Sequence, residues 1–466
     1  MTFALFFGNR GFFPASLMDS ARKELPRALE KAGYGCLMMD ASATRYGAVE
    51  TPAEGEKYAK WLRANEGKFD GVILSLPNFG DETGAVTALK DAGVPILIQA
   101  YPDELDKMAP TSRRDAFCGK FSIMDVFTQY GVKFTALKPH TLAPSKRAFA
   151  AQLDHFAAVC RVVNGMKGLT VGAVGARTTA FKTVRFDELA LQRHGITIET
   201  FDLSDIFARM RAVDPASAAC KAGTRELKAV TDWSDAPEKA IDGAARLFVV
   251  LDKLAQECKL DAMALRCWVE MQEQLGISPC TVMGVLSDRD IPVACEVDVG
   301  NAVAMYALSC ASAKAATCLD WNNNYAEEED KCILFHCGAV PPSMMAGKGK
   351  ISDQLIIANA IGKGRGFGCN VGRIAPAAIT FASMVTDSGR LRFYVGEGRF
   401  TKDPIPKEFF GCAGVAEIPR LQDVLLHVGM EGHRHHTSVT AGHVMEPLKE
   451  ALERYLGFEV SVPQRL

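Results

Sequence analysis

Two carboxylates follow apolar segments of the sequence and stand 24 positions apart. Glu296 comes directly after the apolar run 292–295, and Asp320 ends the segment 316–319. This separation matches one crossover helix with its turns, so both carboxylates could lie side by side at one edge of a parallel sheet. Asp298 is the better candidate to cap the helix predicted over 300–314, which leaves Glu296 available for chemistry.

Histidines supply the other half of a possible site. Four of the nine histidines fall between 427 and 436, a cluster that could also be a solvated loop. His435 and His436 open an alternating strand, so we expect only one of them to point into a site. His336 ends the apolar segment CILFHCG, where a single histidine is more often a core residue. Two carboxylates with one or two imidazoles suit Mn²⁺ or a similar divalent cation.

The elements that must position these residues follow a pattern of short apolar runs separated by helical segments. Strands are predicted in the first part of the chain at 3–8, 35–40, 71–77 and 94–100. The pattern restarts near 166, with strands predicted at 168–177, 195–202, 262–268, 282–287 and 292–298. Strands that alternate with helices indicate right-handed βαβ units and parallel sheets, whose ligand sites lie at the carboxyl edge.

After about residue 350 the sequence becomes rich in glycine and in alternating segments. These segments cover 364–374, 377–400 and 436–444, and Asp387-Ser388-Gly389 is a hairpin signal between two alternating runs. The predicted fold class is therefore α/β, with two Rossmann-like doubly wound domains followed by a β-rich, barrel-like domain that a helix at 446–456 closes. The predicted domains are 1–165, 166–310 with Glu296, and 311–466 with Asp320 and His436.

Composition excludes several classes of protein. The 466 residues carry a net charge of −2, so nothing in the overall charge favours nucleic acid or an anionic membrane as a partner. No apolar run approaches the roughly 18 residues that span a bilayer, and the apolar start is predicted to be a strand rather than a signal peptide. The 14 cysteines are scattered, which favours reduced core thiols in a cytoplasmic protein. The glycine-rich loops lack the spacing of a dinucleotide fingerprint or a P-loop.

Three short segments resemble the L-fucose isomerase / L-arabinose isomerase superfamily: ACEVDVGNA (294–302), Leu319-Asp320 and HHTSVTAGHV (435–444). The resemblance implies that Glu296, Asp320 and His436 bind Mn²⁺, or another divalent cation such as Mg²⁺ or Co²⁺, with His435 as the alternative to His436. His336 resembles the additional metal-site histidine of the arabinose branch. The resemblance also implies a homo-oligomer, either a trimer or a hexamer.

The activity that the resemblance implies is aldose–ketose isomerisation through an ene-diol. Glu296 and Asp320 would both bind the cation and move protons, and Arg10, His336 and His435 are candidates for binding the sugar. The resemblance leaves the sugar open, including whether it carries a phosphate, carboxylate or sulfonate group. Two other functions remain open: a metal-dependent epimerase or aldolase on the same scaffold, and a non-catalytic sugar-binding protein.

Overall fold

The computed structural model describes all 466 residues. The chain forms two compact units, Met1–Asn164 and Gly165–Leu466. The α/β class predicted from the sequence is confirmed, because parallel sheets alternate with helices and a large mixed sheet follows. A separate domain boundary near 310 stays a prediction. No helix has the length and apolar character that a membrane crossing requires.

The first unit is built on a parallel sheet of four strands in the order β2-β1-β3-β4. The strands are β1 (Thr2–Phe7), β2 (Gly35–Met38), β3 (Gly71–Leu76) and β4 (Ile96–Ala100). The helices are α1 (Ser16–Lys31), α2 (Pro52–Ala64), α3 (Glu82–Leu89), α4 (Ala116–Gln129) and α5 (Arg147–Met166), which runs past the boundary between the units.

Alternate residues of β1 pack into cores on opposite faces of this sheet. Phe3 and Leu5 belong to one buried cluster, and Ala4 and Phe6 belong to the other. Successive side chains of a strand point to opposite faces, so a strand with a core on each face must be apolar throughout. This is why the continuous run FALFF was recognisable as a buried strand.

The second unit begins with another parallel sheet of four strands, in the order β6-β5-β8-β9. Its strands are β5 (Thr170–Val174), β6 (Thr197–Phe201), β8 (Ala262–Leu265) and β9 (Val293–Cys295), with a short β7 (Thr231–Asp232) that pairs elsewhere. The helices are α6 (Glu188–Arg193), α7 (Leu203–Ala212), α8 (Ala218–Val230), α9 (Glu238–Cys258), α10 (Glu270–Leu275), α11 (Cys280–Asp288) and α12 (Val299–Ser312).

One predicted strand of this region is wrong. The segment 282–287 lies within the helix α11, and every residue from Cys280 to Ser287 is buried. A helix that is buried all round carries no polar stripe, so its short apolar run has the same pattern as a buried strand. The predictions for the next two elements are confirmed, since β9 and α12 lie where a strand and a helix were predicted.

The rest of the second unit is dominated by a mixed sheet of ten strands in the order β18-β15-β14-β17-β10-β11-β16-β13-β12-β7, and β15 also pairs with β16. The strands not yet given are β10 (Ala316–Tyr325), β11 (Glu328–His336), β12 (Gly349–Ser352), β13 (Cys369–Arg373), β14 (Ala377–Asp387), β15 (Arg390–Phe400), β16 (Cys412–Glu417), β17 (His436–Ala441) and β18 (Glu459–Ser461). The helices are α13 (Ala358–Ile361), α14 (Leu421–Met430) and α15 (Met445–Lys449), which continues as a π-helical segment Glu450–Tyr455.

The predicted hairpin is confirmed. Asp387 pairs with Arg390 across a two-residue turn, and both turn residues, Ser388 and Gly389, have positive φ. Such turns match the twist of the strands that they join. The glycine-rich segment before it differs from the prediction, because the strand begins only at Cys369.

The glycines that precede Cys369 form a loop around a carboxylate. The backbone N–H groups of Gly364 and Gly366 donate to the two carboxylate oxygens of Asp353, at 2.6 and 2.8 Å. Backbone N–H groups grouped in this way commonly receive an anion. Here the anion is a side chain of the same chain, so the loop has an internal structural role.

Candidate metal centre

Glu296 lies in a strained turn between the end of β9 and the start of α12. Glu296 and Val297 both have positive φ, of 60° and 59°, although neither is glycine. Asp298 then caps α12, since its carboxylate accepts the backbone N–H of Asn301 at 3.0 Å. Consecutive residues in left-handed conformations are costly and occur mainly where the surrounding structure uses them. The turn holds the Glu296 carboxylate at the carboxyl edge of the parallel sheet.

Asp320 and His436 lie directly opposite each other on paired strands. Asp320 of β10 is the register partner of His436 of β17. The His436 Nε2 atom is 3.0 Å from Glu296 Oε2 and 3.4 Å from Asp320 Oδ1. The structure therefore brings into one place all three residues that the family resemblance assigns to the metal, although they come from separate parts of the chain.

The His436 ring is fixed from behind by Asp298. His436 is fully buried, and its Nδ1 atom is 2.8 Å from Asp298 Oδ2. The same carboxylate forms an ion pair with Arg434 and accepts the side-chain N–H of Asn301 at 2.7 Å. A carboxylate behind Nδ1 keeps a proton on that atom and leaves Nε2 to face a cation. Asp298 is the predicted cap, and this second role was not predicted.

The charges of the site are strongly coupled. Burial alone would raise the pKa of Glu296, but its contacts with His436 and with the Trp268 N–H outweigh burial and lower the pKa to about 2. Burial likewise opposes ionisation of Asp298, yet Arg434 and His436 hold its pKa well below the usual range. Both carboxylates are therefore ionised at neutral pH and present negative charge to the buried imidazole between them.

The donor atoms of this cluster fit a divalent cation. Glu296, His336 and His436 each offer one possible ligand atom, and these atoms lie within 4.8 Å of one another. Asp320 Oδ1 and His436 Nε2 are buried and have no hydrogen-bond partner. Buried polar atoms are normally satisfied, so unpaired acceptors that converge in this way indicate a ligand. Carboxylate oxygens with imidazole nitrogen suit Mn²⁺ and related ions.

The two flanking histidines occupy different positions. His336 ends β11 and is buried, with its ring centroid 5.9 Å from that of His436. His435 is 43% exposed at the side chain, and its Nε2 atom is 3.6 Å from Asp320 Oδ1. The expectation that only one of the adjacent histidines could point into the site is wrong. Strand alternation does not apply to the pair, because β17 begins only at His436.

Arg10 lies in the first unit, where its own neighbours hold it. Its guanidinium forms an ion pair with Glu82, donates to the backbone oxygen of Gly80 at 2.9 Å, and lies 4.2 Å from the centroid of the Phe79 ring. A role of Arg10 in binding the sugar stays a prediction.

Two aromatic residues of the site were not predicted. Trp268 donates its indole N–H to Glu296 Oε1 at 2.9 Å, so it orients the carboxylate. The Phe181 ring lies 6.1 Å from Trp268 and 5.8 Å from His436, measured between centroids. Trp268 follows β8 and Phe181 follows β5, and these strands are neighbours in the parallel sheet. Ligand sites gather at the carboxyl ends of such strands, and that was the available signal.

Two family models match most of the chain. Residues 4–167 match the model described as fucose/sulfoquinovose isomerase, N-terminal domain, and residues 334–463 match the model described as L-fucose isomerase, C-terminal domain. Both descriptions are of sugar isomerases, and this chain is an aldose–ketose sugar isomerase. More specifically, the chain belongs to the L-fucose isomerase-like family, as the three short motifs predicted.

Curated relatives agree with the family models. The sulfoquinovose isomerases of Priestia aryabhattai and Priestia megaterium are each 22% identical over 397 residues, which cover 85% of this chain and 86% of the relative. That of Alkalicoccus urumqiensis is 27% identical over 197 residues, or 42% of this chain and 44% of the relative. Among solved structures, the apo-structure of D-lactate dehydrogenase from Escherichia coli covers 66% of this chain and 78% of its own with 13% identity, but its TM-score of 0.16 carries no information about the fold.

Replacing Asp298 by asparagine tests its second role. Asparagine caps helices about as well as aspartate, so a purely capping residue would tolerate the change. Loss of the charge leaves Arg434 buried without its ion partner, at a cost of about 3–5 kcal/mol in the free energy of unfolding. We also expect cation affinity to fall about 10- to 100-fold, since His436 loses its anchor. Urea unfolding and a Mn²⁺ titration measure the two effects.

Asp202→Asn is the matched control. Asp202 caps the N-terminus of α7, where its side chain accepts the backbone N–H of Ser204 at 2.7 Å. Unlike Asp298, Asp202 is exposed. This variant should unfold at nearly the same urea concentration as the unmodified protein and keep its affinity for Mn²⁺. Equal, small changes in both variants would contradict the role given to Asp298.

Proposed function

We propose that this enzyme is a divalent-cation-dependent isomerase that prefers Mn²⁺ and converts sulfoquinovose, or a closely related aldose, to its ketose through an ene-diol. The observation that carries the proposal is that Glu296 Oε2 and Asp320 Oδ1 lie 3.0 and 3.4 Å from His436 Nε2, and that the last two of these atoms are buried without a hydrogen-bond partner. The curated relatives act on sulfoquinovose, which makes this sugar the first substrate to test.

Glu296, Asp320 and His436 would hold the cation, with Asp298 orienting His436. When bound, a divalent cation acts as a Lewis acid that stabilises negative charge on oxygen. The two carboxylates supply the other requirement, which is to move one proton between C2 and C1 of the sugar. Trp268 restrains one oxygen of Glu296, whereas Asp320 Oδ1 has no partner, so the two carboxylates differ in their freedom to accept a proton.

The proposal extends to the architecture and assembly. The order of each parallel sheet, with the first strand between the second and the third, supports two Rossmann-like domains. The pairing of β15 with β16 supports a barrel-like arrangement of the large sheet.

We expect a homo-oligomer, a trimer or a hexamer, which light scattering on the purified protein would measure. The 14 cysteines, scattered along the chain, support a reducing, cytoplasmic location.

Deuterium incorporation tests the reaction. Purified protein with Mn²⁺ is incubated in D₂O with sulfoquinovose, glucose, L-fucose or L-arabinose, and the products are followed by NMR. We expect a ketose from sulfoquinovose and deuterium at C1 or C2 of the sugar, because the proton passes through an exchangeable carboxyl group. Cleavage of a carbon–carbon bond would identify an aldolase, inversion at C2 an epimerase, and binding of sugar without exchange a non-catalytic protein.

Removing either carboxylate tests the catalytic assignment. Glu296→Gln and Asp320→Asn each remove a ligand and a proton-transfer group while keeping the size of the side chain. We expect kcat to fall by at least about 10²–10⁴-fold, the usual contribution of general acid–base catalysis, with an unchanged circular dichroism spectrum. Asp330→Asn changes an exposed carboxylate of the neighbouring strand β11 and should leave kcat unaltered. Turnover near the normal rate in either site variant would rule out that residue as essential.

Chelation tests the metal. Dialysis against EDTA should abolish turnover, and addition of Mn²⁺ should restore it. The cation binds only the folded site, so the same addition should raise the melting temperature of the stripped protein. Mg²⁺ and Co²⁺ are compared in parallel. Full activity of protein shown by elemental analysis to be free of divalent metal would refute the metal-dependent mechanism.

A further inference from the structure

Two histidines of the site have opposite hydrogen-bond environments at Nδ1. The Nδ1 atom of His436 faces an acceptor, the Asp298 carboxylate, at 2.8 Å. The Nδ1 atom of His336 faces a donor, the backbone N–H of Cys337, at 2.9 Å. The two rings are neighbours, but the Cys337 N–H and the Asp298 carboxylate require the proton to be on different nitrogens of the two rings.

The contact with Cys337 determines where His336 carries its proton. A nitrogen that accepts a hydrogen bond must be unprotonated, which excludes both the imidazolium ion and the tautomer with the proton on Nδ1. The proton of the neutral ring is therefore on Nε2. For His436 the reverse holds, because Nδ1 keeps its proton and donates a hydrogen bond to Asp298, which leaves a lone pair on Nε2 for a cation.

The Nε2 atom of His336 is buried and has no hydrogen-bond partner. The ring lies at the site, because one of its nitrogens is within 4.8 Å of possible ligand atoms of Glu296 and His436. A nitrogen that carries a proton has no lone pair for a metal ion. An N–H group that is buried in a reaction site and unpaired is instead available to an oxygen of the ligand.

We infer that His336 is not a metal ligand and that it donates its Nε2–H to an oxygen on C1 or C2 of the sugar. The inference rests on the proposed isomerase function for the identity of that oxygen. When a proton leaves C2 of the aldose, negative charge develops on the carbonyl oxygen of the neighbouring carbon C1, and in the reverse direction on the carbonyl oxygen of C2. A donor already aimed at this position stabilises that charge without reorganising, and removal of one such donor typically lowers kcat about 10²–10³-fold.

A comparison of three variants separates a donor from a ligand. His336→Phe keeps a ring of similar size but has no N–H group. Asp320→Asn is the reference for loss of a ligand. His443→Phe is the matched control, because His443 lies beyond the other end of β17 and contacts the backbone oxygen of Gly398. Mn²⁺ binding is measured from the electron paramagnetic resonance signal of the free ion, and kcat and KM are measured on the loaded enzymes.

For His336→Phe we expect one Mn²⁺ per chain with a Kd within about threefold of the unmodified protein, and a fall in kcat of about 10²–10³-fold. Asp320→Asn should lose both affinity and turnover, and His443→Phe neither. A loss of Mn²⁺ affinity in His336→Phe that matches Asp320→Asn would show that His336 is a ligand and would overturn the inference. An unchanged kcat would overturn the donor role.

Nitrogen NMR of the unmodified protein shows directly which nitrogen of His336 carries the proton. This experiment requires no substrate and no variant protein. Protein with ¹⁵N-labelled histidine is loaded with diamagnetic Mg²⁺ or Zn²⁺, and the resonances of the nine histidines are recorded. We expect His336 to show a protonated Nε2 and an unprotonated Nδ1, and His436 to show the reverse. A proton on Nδ1 of His336 would overturn the inference. This measurement stands even where every aldose fails as a substrate, which would count against the proposed function alone.

Discussion

The buried carboxylate of Asp298 is the interaction on which the site depends. It caps α12 through the Asn301 N–H, pairs with Arg434 and accepts a hydrogen bond from His436 Nδ1. Removing a carboxylate from water is costly, and only several charged or polar partners together can offset this cost. Asn301 lies in the first turn of α12, whereas Arg434 and His436 lie just before and at the start of β17. The same charge therefore joins the end of the parallel sheet to the large mixed sheet at the point where the candidate metal ligands meet.

The positive φ angles at Glu296 and Val297 are a consequence of this arrangement. Asp298 must lie at the first turn of α12 to cap it, while Glu296, only two residues earlier, must face the imidazole of His436. An ordinary strand-to-helix turn does not turn the chain so sharply in so few residues. Two left-handed residues achieve it, and the strain is offset by the ion pairs on either side. The backbone conformation of this turn thus determines where the Glu296 and Asp298 carboxylates lie relative to His436.

Sequence patterns could predict those parts of the structure that are determined by residues close together in the sequence. Strand ends, the Asp298 cap and the hairpin at Ser388-Gly389 each have a local signal, and all three are present. The helix α11 was mistaken for a strand because a fully buried segment has no polar face to reveal its period. The direct opposition of Asp320 and His436 depends on strand register over more than one hundred residues of intervening chain. Motif resemblance, not periodicity, was what pointed to it.

The presence of Trp268 and Phe181 at the site could not be predicted from the sequence, for a different reason. Both follow strands that were recognised, but an aromatic residue in a loop has no spacing that distinguishes a site residue from a core residue. Only the neighbouring positions of β5 and β8 in the sheet bring the Trp268 ring to the Glu296 carboxylate and the Phe181 ring close to Trp268. The hydrogen-bond partner of each histidine is equally invisible in sequence. His336 and His436 are the same residue type, and the backbone N–H of Cys337 and the carboxylate of Asp298 make them chemically different.

Several buried cysteines lie near the candidate metal site. Cys318 lies two residues before Asp320 on β10, and its sulfur is within 4.8 Å of ligand atoms of Asp298 and His436. Burial raises the pKa of this thiol to about 11, so it stays protonated at neutral pH. Cys267 and Cys295, whose sulfurs are 3.0 Å apart beneath Glu296, are likewise buried and have raised pKa values. Soft thiolate ligands favour zinc or copper(I), and the candidate ligands Glu296, Asp320 and His436 include no thiol. The candidate donors are carboxylate oxygens and one imidazole, a set that suits Mn²⁺ and related ions.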